Sequence, residues 1–79
     1  MFYIYILFSG SKNKYYIGHT EDLDIRLKRH NSGLVRSTKG GKPWIMIYTE
    51  VFQSKRDAYN RELQIKSYKG GEAFKNLLK

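Results

Sequence analysis

The run Phe2-Tyr3-Ile4-Tyr5-Ile6-Leu7-Phe8 contains no polar break. A strand with one wet face alternates apolar with polar residues, so an uninterrupted run of this length reads as a central strand covered on both faces. In a chain of 79 residues such a strand organises the whole molecule, because there is room for one domain only, spanning 1–79. At this size a chain buries only roughly 60–65% of the surface it exposes when unfolded, so each large apolar side chain counts.

The rest of the sequence supplies layers for that strand. Ser9-Gly10-Ser11-Lys12-Asn13 carries turn chemistry, and Lys14 to His19 returns as a second strand of an antiparallel hairpin. Alternation places Tyr3 and Tyr5 on one face and Tyr16 and Gly18 on one face of the partner. Thr20 is expected to cap a helix that runs to about Ser32, with Glu21 and Asp22 in its first turn and Gly33 at its left-handed end. Leu23, Leu27 and His30 recur at helical spacing on its buried stripe, with Arg26 at the edge. Residues 33–43 are polar and basic and read as a mobile loop. A third strand follows over 44–52, then a helix of roughly 55–68 with Ser54 and Asp57 spaced as a capping box. Lys69-Gly70-Gly71 breaks that helix, and Glu72 to Leu78 form a last short one.

Charge and composition narrow the function. Fifteen Lys and Arg against seven Asp and Glu give a net charge of +8, the footprint of a domain that meets a polyanion, most often nucleic acid. The basic residues are scattered over several elements, unlike those of a helix that lies on a membrane. No apolar run approaches the ~20 residues of a membrane span, which sets the expectation of a cytoplasmic chain without a membrane partner. With no cysteine, neither a disulfide framework nor a thiolate metal site is available.

Glu62 is the most telling residue. Helical periodicity places it among Ala58, Tyr59 and Ile65, inside the apolar face. A carboxylate there is desolvated unless it pairs or holds a cation. The partner is either Arg26 or a neighbouring lysine, as an ion pair, or a metal ion. His30 in an apolar stripe and the tyrosines can be read as packing, and Arg26 as a solvated helix residue. Convergence changes the weighing: one acid, two phenols, an imidazole and a guanidinium in a cationic domain are the parts of a metal-assisted phosphodiester hydrolase.

Tyr3-Ile4-Tyr5, then Tyr16-Ile17-Gly18, Thr20 and the stretch Asp22 to Gly33 together closely resemble the GIY-YIG nuclease superfamily, and the likeness extends through Trp44 to Phe52 and Arg61 to Lys66. The chain looks like the small standalone members. The resemblance implies an α+β fold, a three-stranded antiparallel sheet flanked by helices, with the active site on one sheet face. It assigns catalytic roles to Tyr5, Tyr16, Arg26 and His30 and metal ligation to Glu62. It implies a Mg²⁺ (or Mn²⁺) dependent DNA endonuclease or nickase, in DNA repair or recombination. Tyr3 replaces the motif's first glycine, and Asn76 is the one candidate for the C-terminal asparagine that many such nucleases carry.

Physically, a magnesium ion needs only one or two carboxylates besides waters and substrate phosphate. A tyrosine of ordinary pKa ~10 is a poor base, and Arg26 and the metal are expected to lower it. Arg36, Lys39 and Lys42 are expected to contact DNA phosphates. The chain carries no separate DNA-reading module, so a partner protein or the structure of the DNA supplies specificity. A basic module that binds nucleic acid without cutting is the competing reading.

Overall fold

The computed structural model describes residues 1–68 and 70–79. Strand β1 spans Phe2–Ser9 and β2 spans Lys14–Thr20; helix α1 spans Leu23–Asn31 and strand β3 Trp44–Phe52; helices α2 and α3 cover Lys55–Ser67 and Glu72–Leu77. The three strands form one antiparallel sheet in the order β2-β1-β3. The uninterrupted apolar run is the middle strand, and Ile4, Tyr5, Ile6 and Leu7 are all buried.

Alternation along β1 feeds two separate cores. Ile4 and Ile6 pack with Ala58, Ile65 and Phe74 beneath α2 and α3. Tyr5 and Leu7 pack with Trp44 and with Leu23 and Leu27 of α1 on the opposite face. Full burial of an Ile or Leu side chain stabilises by roughly 1.5–3 kcal/mol, so this one strand anchors both layers. Arg61 of α2 grips Glu50 of β3 with two bonds of 2.9 Å and ties that helix to the sheet edge.

Local signals explain most boundaries. Ser54 accepts the amide of Asp57 at 3.1 Å and so starts α2 as expected. Gly33 follows α1 with φ +83°. Two expectations need correction. Asp22, not Thr20, caps α1, accepting the Ile25 amide at 3.0 Å. Thr20 is instead the last residue of β2, paired with Tyr3, and its hydroxyl accepts the Asp22 amide at 3.1 Å. The expected mobile loop contains a 3₁₀ helix over Arg36–Gly41, held because Thr38 is buried and its carbonyl accepts the Trp44 indole N–H at 2.7 Å. Of the Lys69-Gly70-Gly71 break after α2, Lys69 lies outside the described residues. No helix among the described residues is long and apolar enough to cross a membrane.

Candidate active site

Tyr5 stands on the middle strand directly opposite Gly18 of β2. Without a side chain at Gly18, the tip of the Tyr5 ring passes close over that residue; a Cβ added there would meet the phenol oxygen at 2.5 Å. The ring thereby reaches α1, where its hydroxyl is 3.0 Å from Nε2 of His30. Helical spacing puts His30 on the same stripe as Leu23 and Leu27, and it is wholly buried. Tyr16 completes the group, its ring centroid 4.7 Å from that of His30 and 6.3 Å from that of Tyr5.

The electrostatics of this trio follow from burial. His30 is held below its ordinary value of 6.5, first by desolvation and then by the positive charges of Arg26 and Arg29, so it is neutral at physiological pH. Tyr5 is pushed upward, foremost by desolvation and next by Tyr16, with Glu62 adding to the rise and Arg26 opposing it. The expectation of a lowered Tyr5 pKa is therefore corrected for the protein alone: burial outweighs Arg26. Tyr5 is a protonated phenol beside a neutral imidazole.

Glu62 approaches differently. It is 7% exposed, as its place in the apolar arc of α2 requires. One oxygen lies 2.5 Å from Nδ1 of His19 and the other 2.6 Å from Nζ of Lys66, one turn along the helix. Its partners are thus His19 and a neighbouring lysine, and Arg26 is not among them. His19 opposes Ile4 in the register and shares its face, the α2 side of the sheet. The expectation of a site confined to one sheet face is corrected accordingly. Tyr5, Tyr16 and His30 lie on the α1 side, and Glu62 comes from the α2 side at the edge strand β2.

Arg26 joins the two sides. It lines a hollow of about 300 Å³ with Phe2, His19, Thr20, Glu21 and Lys55. It has no carboxylate partner among the described residues, which leaves its guanidinium available to an anion. Arg36, Lys39 and Lys42 are exposed along and just after the 3₁₀ helix. Asn76 is exposed on α3 and joins none of the hydrogen bonds of the site.

The GIY-YIG catalytic domain model matches residues 1–74. The chain belongs to the GIY-YIG family. Its relatives include the UPF0213 protein SH2523 of Staphylococcus haemolyticus, 36% identical over 84% of this chain and 80% of that protein. Another is the UPF0213 protein CPE1444 of Clostridium perfringens, 40% identical over 84% of this chain and 71% of that protein. Among solved structures, the solution NMR structure of the UPF0213 protein BH0048 from Bacillus halodurans superposes with a TM-score of 0.50. It is 34% identical and covers 92% of this chain and 90% of its own. The α+β architecture is thus that of a GIY-YIG domain, a nuclease-type family.

Two polar residues of this candidate site have no place in the sequence reading. His19 was legible in principle: two residues after Ile17, alternation turns it toward α2 and Glu62. Thr38, whose hydroxyl lies 2.7 Å from Nδ1 of His30, had no signal, being one of several hydroxyl residues in a polar stretch.

Glu62 suits the one-carboxylate site that a magnesium ion accepts, where waters and a substrate phosphate fill the remaining positions. Its present partners can yield an oxygen, since the Lys66 side chain is 49% exposed and His19 is partly exposed. Among the described residues no group of three or more His, Cys, Asp or Glu could form a protein-only cage. The donor chemistry therefore fits an ion that retains water.

Proposed function

We propose that this chain is a single catalytic-type domain that hydrolyses phosphodiester bonds in DNA with Mg²⁺ or Mn²⁺, as an endonuclease or nickase. The observation that carries the reading is the bond from the Tyr5 hydroxyl to a buried, neutral His30. A phenol that must activate water needs somewhere for its own proton to go, and Nε2 of His30 is that acceptor. The attacking water passes a proton to the Tyr5 oxygen as the Tyr5 proton moves to Nε2. Tyr16, its ring tilted against both, orients water and phosphate from the open side of β2.

Arg26 stabilises the charge that builds on the phosphate oxygens, in the hollow it shares with Lys55. Glu62 would hold the metal ion, which when bound supplies positive charge at the scissile phosphate and leaving oxygen. Arg36, Lys39 and Lys42 fix the DNA backbone without reading bases. Repair or recombination is its proposed role, with a partner protein or the DNA's own structure supplying specificity, and the cytoplasm is its proposed setting.

The test is conversion of supercoiled plasmid to nicked circle, with and without Mg²⁺. Metal-dependent nicking that disappears in Tyr5→Phe supports the reading. One observation favours the alternative of a binding module that does not cut: both Glu62 oxygens are already engaged by His19 and Lys66. That alternative predicts salt-sensitive retention of DNA with no nicking at any metal concentration.

A further inference from the structure

Thr38 is a buried polar group of the α1 core that neither the family motif nor the charge pattern accounts for. It is 1% exposed, in the 3₁₀ helix Arg36–Gly41. Four bonds fix its backbone and surroundings. Its amide donates to the Val35 carbonyl at 3.1 Å, and its carbonyl takes the Trp44 indole N–H at 2.7 Å. Asn31, next to His30, clasps the main chain of Trp44 on both sides, accepting its amide at 2.6 Å and donating to its carbonyl at 3.1 Å. The Thr38 hydroxyl is thus held 2.7 Å from Nδ1 of His30.

We propose that Thr38 is a positioning residue, whose hydroxyl keeps the imidazole proton of His30 on Nδ1 and leaves Nε2 bare toward Tyr5. Counting hydrogens leads there. A threonine hydroxyl has one hydrogen, and we assign it to the Val35 carbonyl, 3.3 Å away, which can only accept. Oγ1 can then only accept from His30, so Nδ1 carries the proton. Neutral imidazole has one N–H, so Nε2 is the acceptor and Tyr5 the donor. Every hydrogen in the chain from Tyr5 to His30 to Thr38 to Val35 is used in one direction.

The reverse assignment fails on burial. With the proton on Nε2, His30 would donate to the Tyr5 oxygen, and the Tyr5 hydrogen would have no partner among the described residues. In the chain without substrate and its attacking water, Tyr5 is only 1% exposed, and an unpaired buried donor is costly. The reverse tautomer would also leave no acceptor for the Tyr5 proton during water activation. Thr38 acts on the reaction only through His30.

This inference rests on the proposed hydrolytic reading for its effect on rate, though not for the tautomer itself. The test joins imidazole ¹⁵N spectra of the intact protein with single-turnover plasmid nicking, for the parent, Thr38→Val and Thr38→Ser. The parent is expected to show His30 protonated at Nδ1, with Nε2 bare. Thr38→Val, similar in shape but without a hydroxyl, is expected to populate the Nε2–H form and to cut about 10–100-fold more slowly, the scale on which hydrogen-bond partners of metal-bound histidines act. Thr38→Ser is expected to restore both the spectrum and the rate.

A parent spectrum with the proton on Nε2 overturns the proposal even if Thr38→Val does not fold. So does a Thr38→Val variant that keeps the parent tautomer, or one that changes tautomer and cuts at the parent rate. If the parent cuts no DNA, the hydrolytic reading fails, and the role of Thr38 in water activation is overturned with it; the parent and variant spectra then still decide whether Thr38 sets the tautomer.

Discussion

The phenol of Tyr5 lies across Gly18, its cross-strand partner, with no space between them for even a methyl group: a Cβ on Gly18 would stand 2.5 Å from the hydroxyl oxygen and 2.7 Å from Cζ. Gly18→Ala is therefore expected to push the ring out of line with His30. Overpacking of this kind typically costs about 1–3 kcal/mol. The fold is expected to survive with a lowered denaturation midpoint, while nicking falls further than the stability loss accounts for. Urea titration beside single-turnover assays separates the two effects.

Tyr5→Phe and Tyr16→Phe are expected to differ. Tyr5 alone of the pair hydrogen-bonds His30, so losing its hydroxyl removes the water-to-imidazole path and slows cutting by about 10²-fold or more, the scale for a positioned acid or base. Tyr16→Phe keeps its ring against His30 and is expected to cost less. DNA affinity, measured by gel retardation, is expected to change little in either. Equal rates for parent and Tyr5→Phe would remove the phenol from the chemistry.

His30 is expected to set the acid side of the pH profile. Burial and the two arginines hold its pKa below 6.5, so cutting is expected to persist below that value and to decline only once the imidazole takes a proton. Stability follows the same sign. The unfolded chain binds the proton first, so as pH falls from about 6.5 toward the folded value the unfolded state gains. Denaturation midpoints taken above and well below 6.5 are expected to fall in the parent, with this component absent in His30→Gln.

Glu62→Gln is expected to abolish nicking and to leave DNA retention nearly unchanged. The neutral amide relieves a desolvated carboxylate but removes the charge that a metal ion needs. It also leaves Lys66 without its partner, at little cost because that side chain is half exposed. Mn²⁺ line broadening of residues around Glu62, present in the parent and lost in the variant, checks the ligand role directly. Cooperative unfolding lost in the variant would instead mark Glu62 as a structural anchor.

The triple variant Arg36→Ala, Lys39→Ala, Lys42→Ala is expected to weaken binding evenly across DNA sequences. On duplex DNA the slope of log affinity against log salt is expected to flatten by roughly 0.9 for each phosphate that is no longer neutralised. An unchanged slope would place the DNA path elsewhere.

How far the sequence carries depends on how local the physics is. β1 and β3 were legible because apolar pattern and strand propensity agree over their whole lengths, and β3 spans 44–52 as expected. Glu62 was legible because helical periodicity alone puts it among apolar neighbours. The start of α1 was not, since Thr20, Asp22 and their neighbours offer two possible caps; strand pairing with Tyr3 claims the first. The 3₁₀ segment was illegible for a different reason. Its order comes from Trp44 and Asn31, which contribute nothing local to residues 36–41. The direction of the Tyr5 shift likewise depends on how completely the folded chain excludes water from one ring.

The strand order β2-β1-β3 has a kinetic side. Tyr5 belongs to the one strand hydrogen-bonded along both edges, whereas Tyr16 sits on an outer strand and Thr38 in a single short turn. Local openings begin where backbone bonds are few, so amide protons around Thr38 should exchange through small fluctuations and those of β1 only through global unfolding. A brief opening of the 3₁₀ turn would release the imidazole tautomer while the sheet and the Tyr5 phenol stay in place. The molecule would lose and regain competence many times within one folded lifetime.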